Sequence, residues 1–433
     1  VLRRAYRIAS GTRVDPFPEP VRALFVSTRT IGDWQARAVR AVGLELVDVD
    51  ALTDVPDETA LVFSDATFFT EMALRQLVAA GLRSDADYVL TMPDTAATRA
   101  LAPLSRAPRT PEGTRLGAVV LAAGARGRPL EALVREARPA VVEARERRIA
   151  ARLPRADDRA VEVGVTARVA ADVSHWLHLL RLSQLAIGAL LAEAARASPW
   201  LALRARWAGR RSPHHAARRL VFVDPSADVH PTADLEACIV GPGAVVRAHA
   251  HVSGSVLGAA VEIGDHAVVT GCALAERVQV LRSSYFAHCA AFPRATLSNA
   301  KAQLSLFGRE VFLTSAALLL DTRLDDDIRV VHEGVVVSAG TRYLGACLGH
   351  EVQVGAHVAI APGRAVPGGT VLVMPPDHVA RSFAPGGGRQ VIRAGRGVPL
   401  EDAVAPPPAS VGRSPDIVPP PEVGALSLDR DEG

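Results

Sequence analysis

Two histidines carry the strongest prospect of proton chemistry in this sequence, because an imidazole titrates nearest neutrality of all side chains. His332 lies in Val331-His332-Glu333 and His350 in Leu348-Gly349-His350-Glu351, with Tyr343 between them in Tyr343-Leu344-Gly345. Each histidine precedes a glutamate, but neighbours on a strand point to opposite faces, so neither pair is a dyad by spacing alone. His350 reads either as a general base or as an exposed corner residue. Asp65 ends the run Leu61-Val-Phe-Ser-Asp65 and suits either a metal ligand or a strand-end carboxylate capping the next helix. Leu121-Ala-Ala-Gly124-Ala-Arg126-Gly127-Arg128 has glycines spaced as in a turn whose amides cradle phosphate, and otherwise reads as a strand end. Cys238, Cys272 and Cys289 recur at a fixed interval with no C-x-x-C pair, which suits small buried fillers better than zinc ligands.

That interval belongs to the elements that must hold these residues. Every seventeenth residue from Val223 is apolar: Val223, Val240, Leu257, Leu274. Val229, Val246, Ile263 and Val280 form a second column, and Leu235, Val252 and Val269 a third. Three apolar faces per repeat predict a triangular parallel β-helix, whose coils bury their faces only on one another. The pattern breaks near Phe292 and resumes as hexads at Leu348, Val354, Ile360, Val366 and Leu372. A reactive site is therefore expected near the interruption between Phe292 and Gly345, where the polar run Asp321–Asp327 suits an inserted loop. Glycine follows many apolar positions, as in Leu257-Gly258 and Ile263-Gly264, and is expected where corners need unusual backbone angles. His249 and His266 lie one repeat apart and are expected to stack at exposed turns.

Residues 1–173 read as an α/β domain with a largely parallel sheet: strands at Arg22–Ser27, Leu44–Val49, Ala60–Ser64 and Asp87–Thr91, and helices at Asp33–Val42 and Thr70–Ala80. Residues 141–160 read as a charged surface helix. Residues 174–220 read as a helical connector with seven arginines and no acid between Glu193 and Asp224, suited to packing between domains or to weak contact with an anionic membrane surface. The β-helix is assigned to 221–383. Residues 384–433, with nine Pro and eight Gly, read as a disordered tail. The net charge of +3 and a single lysine, Lys301, give no sign of nucleic-acid binding. No apolar run of signal-peptide or membrane-spanning length is evident, so a cytoplasmic location is expected.

An α/β domain joined by a helix to a hexapeptide solenoid resembles the sugar-1-phosphate nucleotidylyltransferases with an acyltransferase-like C-terminal domain. The resemblance rests on Leu61-Val-Phe-Ser-Asp65, on His175-Trp176 with Leu179-Leu180 (His175 replacing a family proline), on the hexads and on Tyr343-Leu344-Gly345. It implies a left-handed β-helix, trimeric assembly, a sugar phosphate or nucleotide sugar as ligand, Mg²⁺ at Asp65, and acetyl-CoA or another acyl-CoA as acyl donor. The family's loop, Leu-x-x-Gly-x-Gly-Thr-Arg followed by a lysine, is not reproduced at Leu121–Arg128, which also follows Asp65 instead of preceding it. The family's histidine before Tyr-Leu-Gly is replaced by Thr341-Arg342, leaving His350 and His332 as candidate bases. No two histidines have the spacing of the carbonic anhydrases built on this solenoid. Two readings follow: a divergent transferase whose nucleotidyl transfer is lost, and a non-catalytic trimeric scaffold or ligand-binding protein.

Overall fold

Arginine on one side of a strand and acid on the next build the first element, β1 (Arg4–Ile8). Sequence patterning misses it because two arginines interrupt the apolar run. In the computed structural model Arg4 pairs with Glu45 and Arg7 with Asp48 across the sheet, so both charges sit at ladder positions with a partner. The structure describes residues 2–122, 128–151, 161–208, 213–375, 377, 379–385 and 389–399, in two units, Val1–Val373 and Met374–Gly433.

The α/β region of the first unit contains α1 (Ile31–Ala41), β2 (Glu45–Val49), β3 (Ala60–Ser64), α2 (Glu71–Gly81), β4 (Tyr88–Met92), α3 (Ala96–Leu101), β5 (Gly113–Leu121), α4 (Leu130–Glu136) and β6 (Arg138–Val141). Sheet order is β6-β4-β5-β3-β1-β2. β1 is parallel to both β2 and β3, and β6 to β4, while β5 runs antiparallel between β3 and β4. The sheet is thus mixed, not largely parallel. α1 begins at Ile31 because Thr30 and Asp33 form a reciprocal capping box, which satisfies two amides that a helix start leaves open. The expected strand at Arg22–Ser27 is instead a short 3-10 turn, Val21–Ala23, and a two-residue strand, Phe25–Val26, paired with Arg29–Thr30. The expected helix over 141–160 is corrected too: Arg147–Ala151 pairs antiparallel with Val161–Val165, and the residues between lie outside those described.

Three helices follow: α5 (Trp176–Ala197), α6 (Pro199–Ala208) and α7 (Pro213–Arg219). By length and composition α5 alone among the described helices could cross a bilayer, but Leu179, Leu180, Leu182 and Ala186 are fully buried. Its apolarity serves packing.

The solenoid consists of three stacked parallel sheets of 8, 8 and 7 strands, the arrangement typical of a left-handed β-helix. The three sequence columns point inward, with Val240, Leu257, Leu274, Val246, Ile263, Val252 and Val269 all buried. Val223 is exposed because it lies in the first coil, with a neighbour on one side only. The pattern does not break at Phe292. Ala291 and Phe307 extend the first column, Leu297 and Leu313 the second, and Phe286, Ala302 and Leu319 the third. One coil there is a residue shorter, which shifts the register and hides the repeat from a fixed-period reading. The true interruption is Asp321–Tyr343, after which Leu348 pairs with Phe307 and Val354 with Leu313. Within it Arg329–His332 and Val335–Ser338 form a hairpin whose two turn residues, Glu333 and Gly334, both have positive φ, the geometry that suits strand twist.

The corner glycines also differ in their reason. A Cβ at Gly264 would meet the Arg282 amide nitrogen at 2.5 Å, and one at Gly258 would meet the Ala275 carbonyl carbon at 2.9 Å. Close stacking of the next coil excludes a side chain there. The positive φ falls two residues later, on Ala260 and His266. His249 and His266 stack at 5.0 Å and are exposed, as expected. The cysteines are free and buried; the Cys272 amide donates to Ser255 Oγ and the Cys289 amide to Cys272 Sγ, so this column links coils by hydrogen bonds besides filling space.

In the second unit, Gln390–Arg393 and Arg396–Pro399 form an antiparallel hairpin where sequence composition predicts disorder; residues 400–433 lie outside those described.

Ile263→Asp should place an unpaired charge in the solenoid core and cost about 3–5 kcal/mol, by analogy with a broken buried ion pair. Chemical denaturation checks this, and an unchanged midpoint would refute the register.

Candidate functional site

The chain enters the sheet at β1, crosses to β2 on one side and then to β3 on the other. Strand order therefore reverses at β1, and the crevice beyond the carboxyl ends of such strands is where open α/β sheets receive ligands. Asp65 follows β3 at this point. Its amide donates to the Ile8 carbonyl, and its Oδ1 accepts from the Ser10 amide at 2.8 Å. Gln35 on α1, fully buried, donates through Nε2 to the carbonyls of Asp65 and Thr67 at 3.1 and 2.9 Å. Arg7, paired with Asp48, donates to Gln35 Oε1. One strand, one helix and one turn thus fix where Asp65 stands.

The loop that meets Asp65 is Ser10-Gly11-Thr12-Arg13. Gly11 has φ +66° with open space where a Cβ would stand, and Ser10, Gly11 and Arg13 are exposed. The Thr12 amide donates to Ser10 Oγ, and Arg13 donates to the Pro18 carbonyl. Gly11, Thr12 and Arg13 are the same three residue types as the end of the phosphate loop in the nucleotidylyltransferases that the sequence resembles, and they precede Asp65. Sequence reading overlooked them because β1 was not recognised; the signal was a Gly-Thr-Arg directly after a short strand. The alternative loop, Gly124–Arg128, lies outside the described residues except Arg128. Asp65 is buried with one oxygen engaged, and the described residues include no group of three His, Cys, Asp or Glu able to hold a metal. The residues present therefore do not form a Mg²⁺ site by themselves.

The solenoid residues are not assembled into one centre. His350 Nδ1 accepts from the Arg309 amide at 2.9 Å, and its Nε2 donates to Glu19 at 2.9 Å. Glu19 also pairs with Arg309 at 2.9 Å. Phe17 stacks on Phe292 at 5.1 Å beside the imidazole. His350 thus joins the α/β region to the solenoid with both nitrogens engaged, so neither is open to a substrate proton in this arrangement. Burial pushes Glu19 up, but the His350 hydrogen bond and adjacent Arg309 outweigh it and hold the carboxyl below its ordinary range.

His332, on the inserted hairpin, faces a second junction. Its ring packs edge-on against His175 at 5.4 Å. His175 caps α5, Nδ1 accepting from the Leu177 amide and Nε2 donating to the Val331 carbonyl at 3.2 Å. His178 Nδ1 accepts from the Ser174 amide and Nε2 donates to the Pro103 carbonyl at 2.8 Å. Arg106 pairs with Glu333 at the hairpin tip. Burial, with His178 nearby, pushes His175 down to about 3, and burial, with His332 nearby, pushes His178 down to about 4. Burial and the Arg106 charge lower His332 as well. His175 thus caps the helix with its own side chain. Tyr343, half-buried, pairs through its backbone with Thr322 where the insertion closes; it touches neither histidine's hydrogen bonds.

No protein-family model matches the chain, and no curated protein matches it in sequence. Similar solved structures include a variant of perosamine N-acetyltransferase from Caulobacter crescentus in complex with CoA and GDP-perosamine, at 19% identity over 38% of this chain and 59% of that chain, with TM-score 0.18. The acetyltransferase domain of PglB from Neisseria gonorrhoeae matches at 16% identity over 39% of this chain and 62% of that chain, with TM-score 0.16. Both matches span less than two thirds of those chains, and likenesses this weak say nothing of this chain's activity.

His350→Ala should remove a charged hydrogen bond at a half-dry junction and cost about 1.5–3 kcal/mol, read as a lower melting temperature, instead of acting on catalysis alone. Acid should weaken the second junction. The folded pKa values of His175 and His178 lie below the ordinary 6.5, so the unfolded chain binds protons first; their stabilisation is complete above about 6.5 and is lost as pH falls toward about 4. Asp172, raised by burial to about 6, acts in the opposite sense over part of that range. His175→Asn keeps a cap acceptor and should flatten the fall in melting temperature between about pH 6.5 and 4.5; a parent-like pH profile would refute the role of His175.

Proposed function

We propose that the chain binds a phosphorylated sugar or nucleotide sugar at the crevice beyond β1 and β3, and that its solenoid assembles three copies of the chain. The carrying observation is the exposed Ser10–Arg13 loop, with its Gly-Thr-Arg, held against Asp65 at the reversal of strand order. Exposed Gly11 beside the Arg13 guanidinium suits an anionic phosphate. Catalysis of nucleotidyl transfer is weak or absent in this reading. Among the described residues Asp65 belongs to no group of three metal-ligating side chains, and Lys301, the one lysine, lies in the solenoid over Tyr285. Phe312, Leu318 and Leu320 are exposed apolar residues on the outer faces of the solenoid, available to contacts between copies in this reading.

A second reading keeps acyl transfer on the solenoid, with His332 as base and an acyl-CoA as donor. It is favoured by one observation: His332 is partly exposed on the inserted hairpin, where burial and the Arg106 charge lower its pKa. His332→Ala would then abolish acyl transfer to an amino sugar while leaving assembly intact.

UDP-N-acetylglucosamine, UTP or glucose 1-phosphate should raise the melting temperature of the parent. Saturation at about 100 Kd corresponds to about 2.7 kcal/mol. Arg13→Ala should abolish the shift, and pyrophosphate release from UTP should stay near background. Absence of any shift, or a shift kept intact in Arg13→Ala, would overturn the crevice assignment. Robust turnover lost in Asp65→Ala would restore the nucleotidylyltransferase.

A further inference from the structure

α6 presents an apolar stripe to solvent that the proposed ligand site leaves unexplained. Trp200, Leu203 and Trp207 are 67%, 56% and 68% exposed. At 3.6 residues per turn these three positions fall within an arc of about 60°. Ala205, on the opposite side, is buried at 6%, so α6 packs on the protein by one face and offers its aromatics on the other. Two exposed tryptophans on one ten-residue helix are an unusual surface for a soluble fold.

The charge around the stripe is one-sided. From residue 194 to residue 223 the sequence contains seven arginines and no aspartate or glutamate. Arg218 is taken up by Asp234 and Glu236, and Arg196 lies against Met72. Arg204, which borders the stripe, is exposed. Tryptophan seated between hydrocarbon and headgroups, with arginine reaching phosphates, is the pattern of a helix lying in a membrane interface. An excess of arginine without acids selects an anionic surface.

We propose that α6 docks the protein on an anionic lipid bilayer, with Trp200, Leu203 and Trp207 inserted at headgroup level and neighbouring arginines on the lipid phosphates. The helix lies along the surface: at about 15 Å it is too short to span. α5 stays in the core.

The full chain should cosediment with phosphatidylcholine vesicles holding about 30% phosphatidylglycerol, and not with pure phosphatidylcholine. Of the four tryptophans, Trp34 and Trp176 are buried, so a blue shift of emission on binding reports Trp200 and Trp207. The Trp200→Ser/Trp207→Ser variant should melt like the parent and partition at least about tenfold more weakly. Arg204→Ala should weaken partition about fivefold, and 1 M salt should weaken the parent further. The proposal fails if the parent ignores anionic vesicles, or if the double tryptophan variant binds them as the parent does. It also fails if that variant sediments as a smaller species than the parent, which would make the stripe an interface between copies of the chain.

Discussion

Burial of one continuous apolar cluster governs the rest of the first unit. It runs from Val14 and Phe17 in the loop after β1, through Trp34 and Phe68, along α5, and into Phe292, Leu306, Ile328, Val330 and Leu344 of the solenoid and its insertion. Apolar burial supplies a large but non-directional driving force, about 25 cal/mol per Å². It joins the α/β region to the solenoid without choosing their register. Directional bonds do that: Glu19 with His350 and Arg309 on one side, His175 and His178 on the other, and Gln184 donating to the His288 carbonyl between them.

The position of the insertion has a functional consequence. Ile328, Val330 and Ala339 bury one side of the hairpin in this shared core, and His175 holds its backbone at Val331. The insertion therefore helps close the junction within the chain. His350 is consumed by the same junction. Among the solenoid's candidate residues His350 thus serves the junction, while the loop beside Asp65 leaves Ser10, Gly11 and Arg13 exposed.

That loop is coupled to the junction by covalent continuity. From Ser10, bound to Asp65, the chain passes through Arg13, tethered to Pro18, to Glu19, bound to His350. Phe17 anchors the intervening segment on Phe292. The candidate phosphate loop thus has rigid ends and an open middle, an arrangement suited to binding, because little freedom is left to lose when a ligand arrives.

The sequence by itself determined the solenoid, because each coil buries the same three positions and a core column tolerates only apolar residues: Val246, Ile263 and Val280 could be placed inward from spacing alone. The strands at Glu45–Val49 and Ala60–Ser64 and the stacked His249 and His266 were legible for the same local reason. A coil one residue shorter between Leu297 and Ala302 concealed two further coils, since periodicity carries no information about where a register shifts. β1 was hidden because Arg4 and Arg7 find their ladder partners, Glu45 and Asp48, on a strand some forty residues on, and with it the Gly11-Thr12-Arg13 loop. Tertiary structure alone decided that His350 is a docking residue, because its partner Glu19 is 331 positions away in sequence. A histidine's role follows from what its two nitrogens meet, and that is fixed by packing between distant segments.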